Sequence, residues 1–231
     1  MSAPARPAFY ALRQGGWRDY VTLLHPPYTL WHLSYVAVGA ALAPHMNWSL
    51  LGWTALAFFL ALGIGAHALD ELQGRPLQTR IPTRTLVVLA ATSIGAACAI
   101  GCAIAVQQTL WLLVFVAFGG FIVVAYNLEL FGGVFHNGFW LSAAWAAFPV
   151  LTAYFASAHT IGVAAIAAAA YAFAMIWVQR LLSTPARAVR RKPASEVTDA
   201  ERAIAPAAER ALLTLAAASV LLAAALLLAR A

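Results

Sequence analysis

Charge is what this sequence has least of. Only 10% of its 231 residues are Asp, Glu, Lys or Arg, whereas a soluble globular domain carries about 25%. Too few charges remain to coat a water-facing surface, which excludes a soluble enzyme, a disordered chain and a coiled coil. Cysteine is scarce as well. Cys98 and Cys102 stand four apart in an apolar run, on one face of a helix, where they read as two small packing residues and not as a disulfide framework. A secretory leader is also missing from the expected pattern, because residues 1–27 are polar, basic and proline-containing and lack an apolar core with a cleavage site.

What the chain has is apolar length. Its residues are 63% hydrophobic and its mean hydropathy is +0.81. A chain immersed in lipid spans it as helices or as a closed barrel. The apolar runs here are long and unbroken rather than alternating, so they select helices. We read an all-α integral membrane protein, a bundle of about seven transmembrane helices. The spans fall near 28–43, 48–69, 85–106, 110–126, 138–158, 161–179 and 210–229. The segmentation follows: an N-terminal segment 1–27, a six-helix membrane core 28–179, a basic linker 180–209 and a last helix 210–231.

The formal charge is +6, and its distribution sets orientation. The connections near 44–47, 107–109 and 159–160 carry no Lys or Arg, whereas those at 70–84, 127–137 and 180–209 are long and polar. With the N-terminus in the cytoplasm, all of the 14 basic residues except Arg230 fall inside, from Arg6, Arg13 and Arg18 to Arg210, as the positive-inside rule expects. The basic excess therefore points to membrane lipid and not to nucleic acid as its partner. We expect an inner-membrane protein with its active face in the cytoplasm. All eight acidic residues share that side, and polar groups at membrane depth are costly enough to mark function.

Three segments carry candidate chemistry. In the first, His67, Asp70 and Glu71 share a helix face, Gly74 and Pro76 end the helix, and Arg75, Arg80 and Arg84 follow. Carboxylates can hold a divalent cation while guanidinium forks hold phosphate; helix-end ion pairs are the plain alternative. In the second, Tyr126 and Asn127 end a span, and Glu129 and His136 flank Gly132-Gly133. A His and a carboxylate there can bind metal or exchange protons, or simply cap helices. In the third, His25 precedes Pro26-Pro27 and His32 lies two turns on, inside the membrane. Ligand contact and a plain interhelical hydrogen bond are both open for His32. Trp31, Trp53, Trp111, Trp140, Trp145 and Trp177 read as interfacial anchors or as the lining of an apolar tunnel. A faint internal echo places Gln179, six residues before Pro185, with Arg180 beside it, where Asp70 stands six before Pro76. The cluster Arg187, Arg190, Arg191 and Lys192 reads as an anionic-lipid contact.

These segments resemble the UbiA-type intramembrane prenyltransferase superfamily. His67-x-x-Asp70, followed by Gly74-Arg75-Pro76 and Thr79-Arg80-Ile81-Pro82, is similar to the first signature and its arginine-rich extension, and Tyr126-Asn127 is similar to the Tyr-Ser segment. The similarity covers roughly residues 20–185. Ala66-His67 stands in place of Asn-Asp, and Gln179-Arg180 in place of the second Asp-rich motif, so the chain resembles a divergent member.

The resemblance implies transfer of an isoprenyl group from an isoprenoid diphosphate, with Mg²⁺-assisted departure of the diphosphate. It implies catalytic roles for Asp70, Glu71, Tyr126 and Asn127, and substrate contacts from Arg75, Arg80, His25, His32 and Arg180. Metal would be held by His67, Asp70, Glu71, Glu129 and His136. Two alternatives stay open: a His/carboxylate enzyme of another reaction type using zinc or iron, and a non-catalytic lipid-binding protein.

Overall fold

The computed structural model describes residues 7–231, which leaves Arg6 outside the described residues. Helices make up the whole regular structure, with no strand among the described residues. A short α1 (Trp17–Leu23) precedes α2 (Pro26–Leu42). Next come α3 (Trp48–Leu72), α4 (Thr83–Gln107), α5 (Leu112–Asn127), α6 (Gly138–Ala158), α7 (Val163–Arg191) and α8 (Asp199–Leu228).

Five of these, α3, α4, α6, α7 and α8, are long and apolar enough to cross a membrane. The α5 helix is equally apolar but has 16 residues. The seventh expected span, α2, has 17 residues and lies in the middle of the bundle against α3, α6 and α8. Its neighbours, not lipid, cover it, and that is why it tolerates Thr29, His32 and Ser34 as buried residues. Large apolar side chains cover the outer faces of the other helices, among them Val87, Val106, Leu113, Ile166 and Leu221. That is the surface of a multi-pass membrane protein, since a water-soluble monomer rarely exposes a contiguous apolar belt.

The core forms around α2. Trp31, Tyr35 and Val36 are completely enclosed, and the Trp31 indole donates to the Tyr35 hydroxyl at 2.6 Å. One turn further, Gly39 lets α2 approach α6 so closely that a Cβ there would sit 2.2 Å from the Val150 carbonyl oxygen. Two of the expected interfacial tryptophans, Trp31 and Trp145, are therefore core residues; Trp53, Trp111 and Trp177 are exposed as an interfacial belt requires.

Two helices change pitch. In α3 the stretch Phe59–Ala66 is π-helical, and in α6 the stretch Ala143–Ala147 is. Such widened turns recur at functional sites, and both end or lie beside the same polar cavity described below. The polar stretch 180–209 is mostly helix: α7 runs unbroken to Arg191, α8 starts at Asp199, and residues 192–198 alone connect them. Thr198 and Glu201 close a reciprocal capping box at the start of α8, and Arg190 pairs with Glu209 across the two helices. The polar ends of α7 and α8 thus brace each other and project as a helical pair rather than a loose tether.

Candidate functional site

A polar cavity of about 430 Å³ opens where α2 begins and α3, α5 and α7 end. Each element delivers residues to it for a local reason. His25 takes the left-handed backbone conformation, φ 46°, ahead of the Pro26-Pro27 start of α2, and this kink turns its ring inward. Its Nδ1 donates to the Leu23 carbonyl at 2.8 Å. His32, two turns into α2, donates from Nδ1 to the Trp145 carbonyl at 2.9 Å. His67 follows the π-helical stretch of α3 and donates to the Gly63 carbonyl at 3.0 Å. The His25 and His67 rings stack with centroids 4.0 Å apart. Asp70 lies one turn beyond His67 on the same wall.

The end of α5 supplies Tyr126 and Asn127, and the following loop supplies His136. His136 donates to the Tyr126 carbonyl at 3.0 Å, and its ring lies 4.6 Å from the Tyr126 ring. Asn127 spends its amide on the Val123 carbonyl at 2.7 Å, which leaves its side-chain oxygen free to accept. The α7 wall carries Gln179, Arg180, Thr184, Arg187 and Arg191. The three arginines are seven and four residues apart, close to whole turns, so they form one stripe. Arg187 reaches Ser183 at 3.4 Å, and it is the strongest cation acting on the Asp70 carboxylate. Against that stripe Asp70 is the one carboxylate on the cavity wall, so the cavity favours an anion.

Over the mouth lies the N-terminal segment. Tyr10 packs on His25 at 5.2 Å and on Tyr28 at 5.5 Å. Burial pushes the Tyr10 phenol well above its usual range and the His25 imidazole well below its own, the nearby His67 adding to the second effect. Both groups are therefore uncharged at neutral pH.

Eight of the residues singled out in the sequence line this one cavity: His25, His32, His67, Asp70, Tyr126, Asn127, His136 and Arg180. Four others lie elsewhere. Glu71 is fully enclosed, and its carboxylate accepts from the Leu77 amide at 2.9 Å, the Thr79 amide at 2.8 Å and the Thr79 hydroxyl at 2.9 Å. It holds the loop after α3. Arg75 donates to the Ile81 carbonyl at 2.6 Å and the Thr83 hydroxyl at 2.9 Å, closing the same loop. Arg80 is exposed, and its amide is taken by Asp19 at 2.9 Å. Glu129 is exposed in a turn at φ 51°. The loop is thus a clasp held by the Glu71 carboxylate and the Arg75 guanidinium.

Arg187, Arg191, Tyr28 and Thr184 were not singled out as site residues. The seven- and four-residue spacing from Arg180 was the available signal, but it registers only if the helix continues past 180. Gln179 and Arg180 do share the cavity with Asp70, as the internal echo expects.

The donors on the wall do not make a two-Mg²⁺ diphosphate site. Such a site needs facing groups of carboxylates, and here Asp70 is alone. Nor is any group of three or more His, Cys, Asp or Glu side chains among the described residues placed to hold zinc or iron. A second, apolar hollow of about 90 Å³ lies deeper, lined by Leu62, Ile122, Val123, Ala144 and Phe148. Leu62 and Ile122 of this hollow stand one turn from Ala66 and Tyr126 of the polar cavity on α3 and α5. Compared with family models, with curated proteins and with solved structures, the chain has no match.

Proposed function

We propose that this chain is a divergent UbiA-like membrane enzyme that acts on an isoprenoid diphosphate, with the arginine stripe of α7 in the place of a second acidic motif. One observation carries this reading: Arg180, Arg187 and Arg191 line one cavity together with the lone carboxylate Asp70, and an apolar hollow lies in the same bundle. An amphiphile with an anionic head and a hydrocarbon tail fits that pairing. The reading also takes the polar end as cytoplasmic, since basic residues concentrate there, and takes α2 and α5 as the remaining two of seven membrane-embedded helices.

The chemistry then falls to named side chains. The guanidinium groups donate to the diphosphate oxygens and gain strength as the allylic C–O bond breaks and charge collects on the leaving group. Asp70 shares the cavity with Arg187 and balances part of its charge. The Tyr126 and Trp145 rings, 4.6 Å apart, offer π faces to an allylic cation and exclude water from it. The wall supplies one carboxylate only, so the charge collecting on the leaving group falls to the guanidiniums.

The test is diphosphate release from geranyl, farnesyl and geranylgeranyl diphosphate by the purified protein in nanodiscs. Release should fall at least tenfold in Asp70→Asn and in Arg187→Gln, the loss of about one charge-assisted hydrogen bond. Binding without release in the parent protein supports the lipid-binding alternative instead. Absence of both binding and release removes the reading.

A further inference from the structure

One wall of the cavity has no role in diphosphate departure. It is made of four imidazoles from three stretches of chain: His25 and His32 at the start of α2, His67 in α3 and His136 in the loop after α5. All four are anchored in the same way, with Nδ1 against a main-chain carbonyl, of Leu23, Trp145, Gly63 and Tyr126 in turn. A carbonyl oxygen only accepts, so Nδ1 carries the ring proton in every case. Where the ring is neutral, its Nε2 atom is then a bare acceptor. No protein group donates to any of the four Nε2 atoms, and among the described residues no fully buried side-chain nitrogen or oxygen is without a partner. None of the four Nε2 atoms is thus both fully buried and unpaired, and all four rings line the cavity.

An acceptor wall requires donors. An ionised diphosphate brings none, and an isoprenoid chain brings none. An ammonium group brings donors but would enter beside three guanidiniums balanced by one carboxylate. A metal ion would need three converging ligands, and that grouping is missing among the described residues. A hydroxyl brings its donor with no net charge, and the Tyr28, Tyr126 and Trp145 rings on the same cavity supply faces for the C–H edges of a polyol.

We propose that the imidazole wall is a recognition subsite for hydroxyl groups, and that the cavity accepts a phosphate ester bearing at least two free hydroxyls with its phosphate on the α7 arginines. This rests on the reading of the α7 stripe as an anion site, and it adds hydroxyl recognition beside that stripe.

The experiment compares three phosphate monoesters of equal charge, methyl phosphate, glycerol 1-phosphate and myo-inositol 1-phosphate, by calorimetric titration of the protein in nanodiscs. Two hydroxyl–imidazole bonds at about 0.5–1.5 kcal/mol each correspond to roughly a five- to hundredfold gain, so inositol phosphate should bind at least about tenfold tighter than methyl phosphate. His67→Phe keeps a ring stacked on His25, and His136→Phe keeps one against Tyr126. Each should lose most of that gain while methyl phosphate affinity stays within twofold, which also shows that the variant is folded. Arg187→Gln should weaken all three ligands alike.

Equal affinity for the three esters in the parent protein overturns the hydroxyl subsite and leaves the anion site standing. Discrimination that survives both Phe substitutions overturns it too. Failure of methyl phosphate to bind removes the anion site as well. Competition by phosphatidylinositol in the nanodisc would assign the ligand to the membrane, and its absence to the aqueous phase; either result upholds the subsite once discrimination is seen.

Discussion

Removing the Glu71 carboxylate should open the loop after α3 without unfolding the bundle. The loop, residues 73–82, contains little apolar surface of its own beyond Leu77 and Ile81. Its shape depends on three hydrogen bonds to one buried carboxylate. Bonds to a charged acceptor contribute about 1.5–3 kcal/mol each, and a buried donor left unpaired costs about 1–3 kcal/mol. The three share one acceptor and do not add fully, so Glu71→Ala should cost about 3–5 kcal/mol. Glu71→Gln keeps one acceptor oxygen but turns an NH₂ toward a donor, and should cost about 2 kcal/mol.

The loss falls on a local opening equilibrium. Hydrogen exchange at the Leu77 and Thr79 amides should therefore accelerate about a hundredfold or more in Glu71→Ala and roughly thirtyfold in Glu71→Gln. Trypsin should cut faster after Arg80, which is already exposed. Exchange in α4 and α6 should stay near the parent rate. Parent-like exchange of the Leu77 and Thr79 amides in both variants would refute the clasp and return Glu71 to the list of candidate ligands.

Three further outcomes are expected. Gly39→Ala forces a Cβ against the Val150 carbonyl oxygen, 2.2 Å away, and should destabilise the α2–α6 contact by about 1–3 kcal/mol despite the better helix propensity of Ala, read as a lower midpoint in thermal unfolding in detergent. Arg230 donates to the carbonyls of Ala41 at 2.8 Å and Ala43 at 3.0 Å, where it meets the negative end of α2; Arg230→Ala should cost about 1 kcal/mol in the same assay, and an unchanged midpoint would show that the cap contributes nothing. For His25 the sign runs toward acid lability. Burial, then His67, holds its folded pKa well below 6.5, so as pH falls through 6.5 the unfolded chain takes up a proton that the folded one refuses. Stability should drop below that pH by up to about 1.4 kcal/mol per unit, and His25→Asn, which tolerates the left-handed backbone, should flatten the pH dependence of the midpoint.

The helical, lipid-immersed character of the chain follows from local chemistry, and so it is legible residue by residue. Charge is sparse, the runs are apolar, and the breaks at Gly74, Pro76 and Gly132-Gly133 fall where helices end. Eight residues of the cavity are legible too, because His, Asp, Asn and Arg at the ends of apolar helices have few cheap places to go. Sorting among them is another matter. Asp70 and Glu71 are neighbours in sequence, but successive positions on a helix diverge by about 100°, so one faces the cavity while the other faces the loop it clasps. The arginines divide too: the Arg75 side chain closes the clasp and Arg80 gives only its main-chain amide, to Asp19, whereas Arg187 and Arg191 stand exposed on the cavity rim because α7 runs on past the apolar segment.

Hydropathy alone determined which segments leave water, since it is a sum over single residues. Tertiary packing decided that α2 lies inside the bundle, that π-helical turns present the Gly63 and Trp145 carbonyls to His67 and His32, and that four rings anchored at Nδ1 surround one space. Those outcomes depend on the angle at which distant helices meet, and no window of sequence contains that angle.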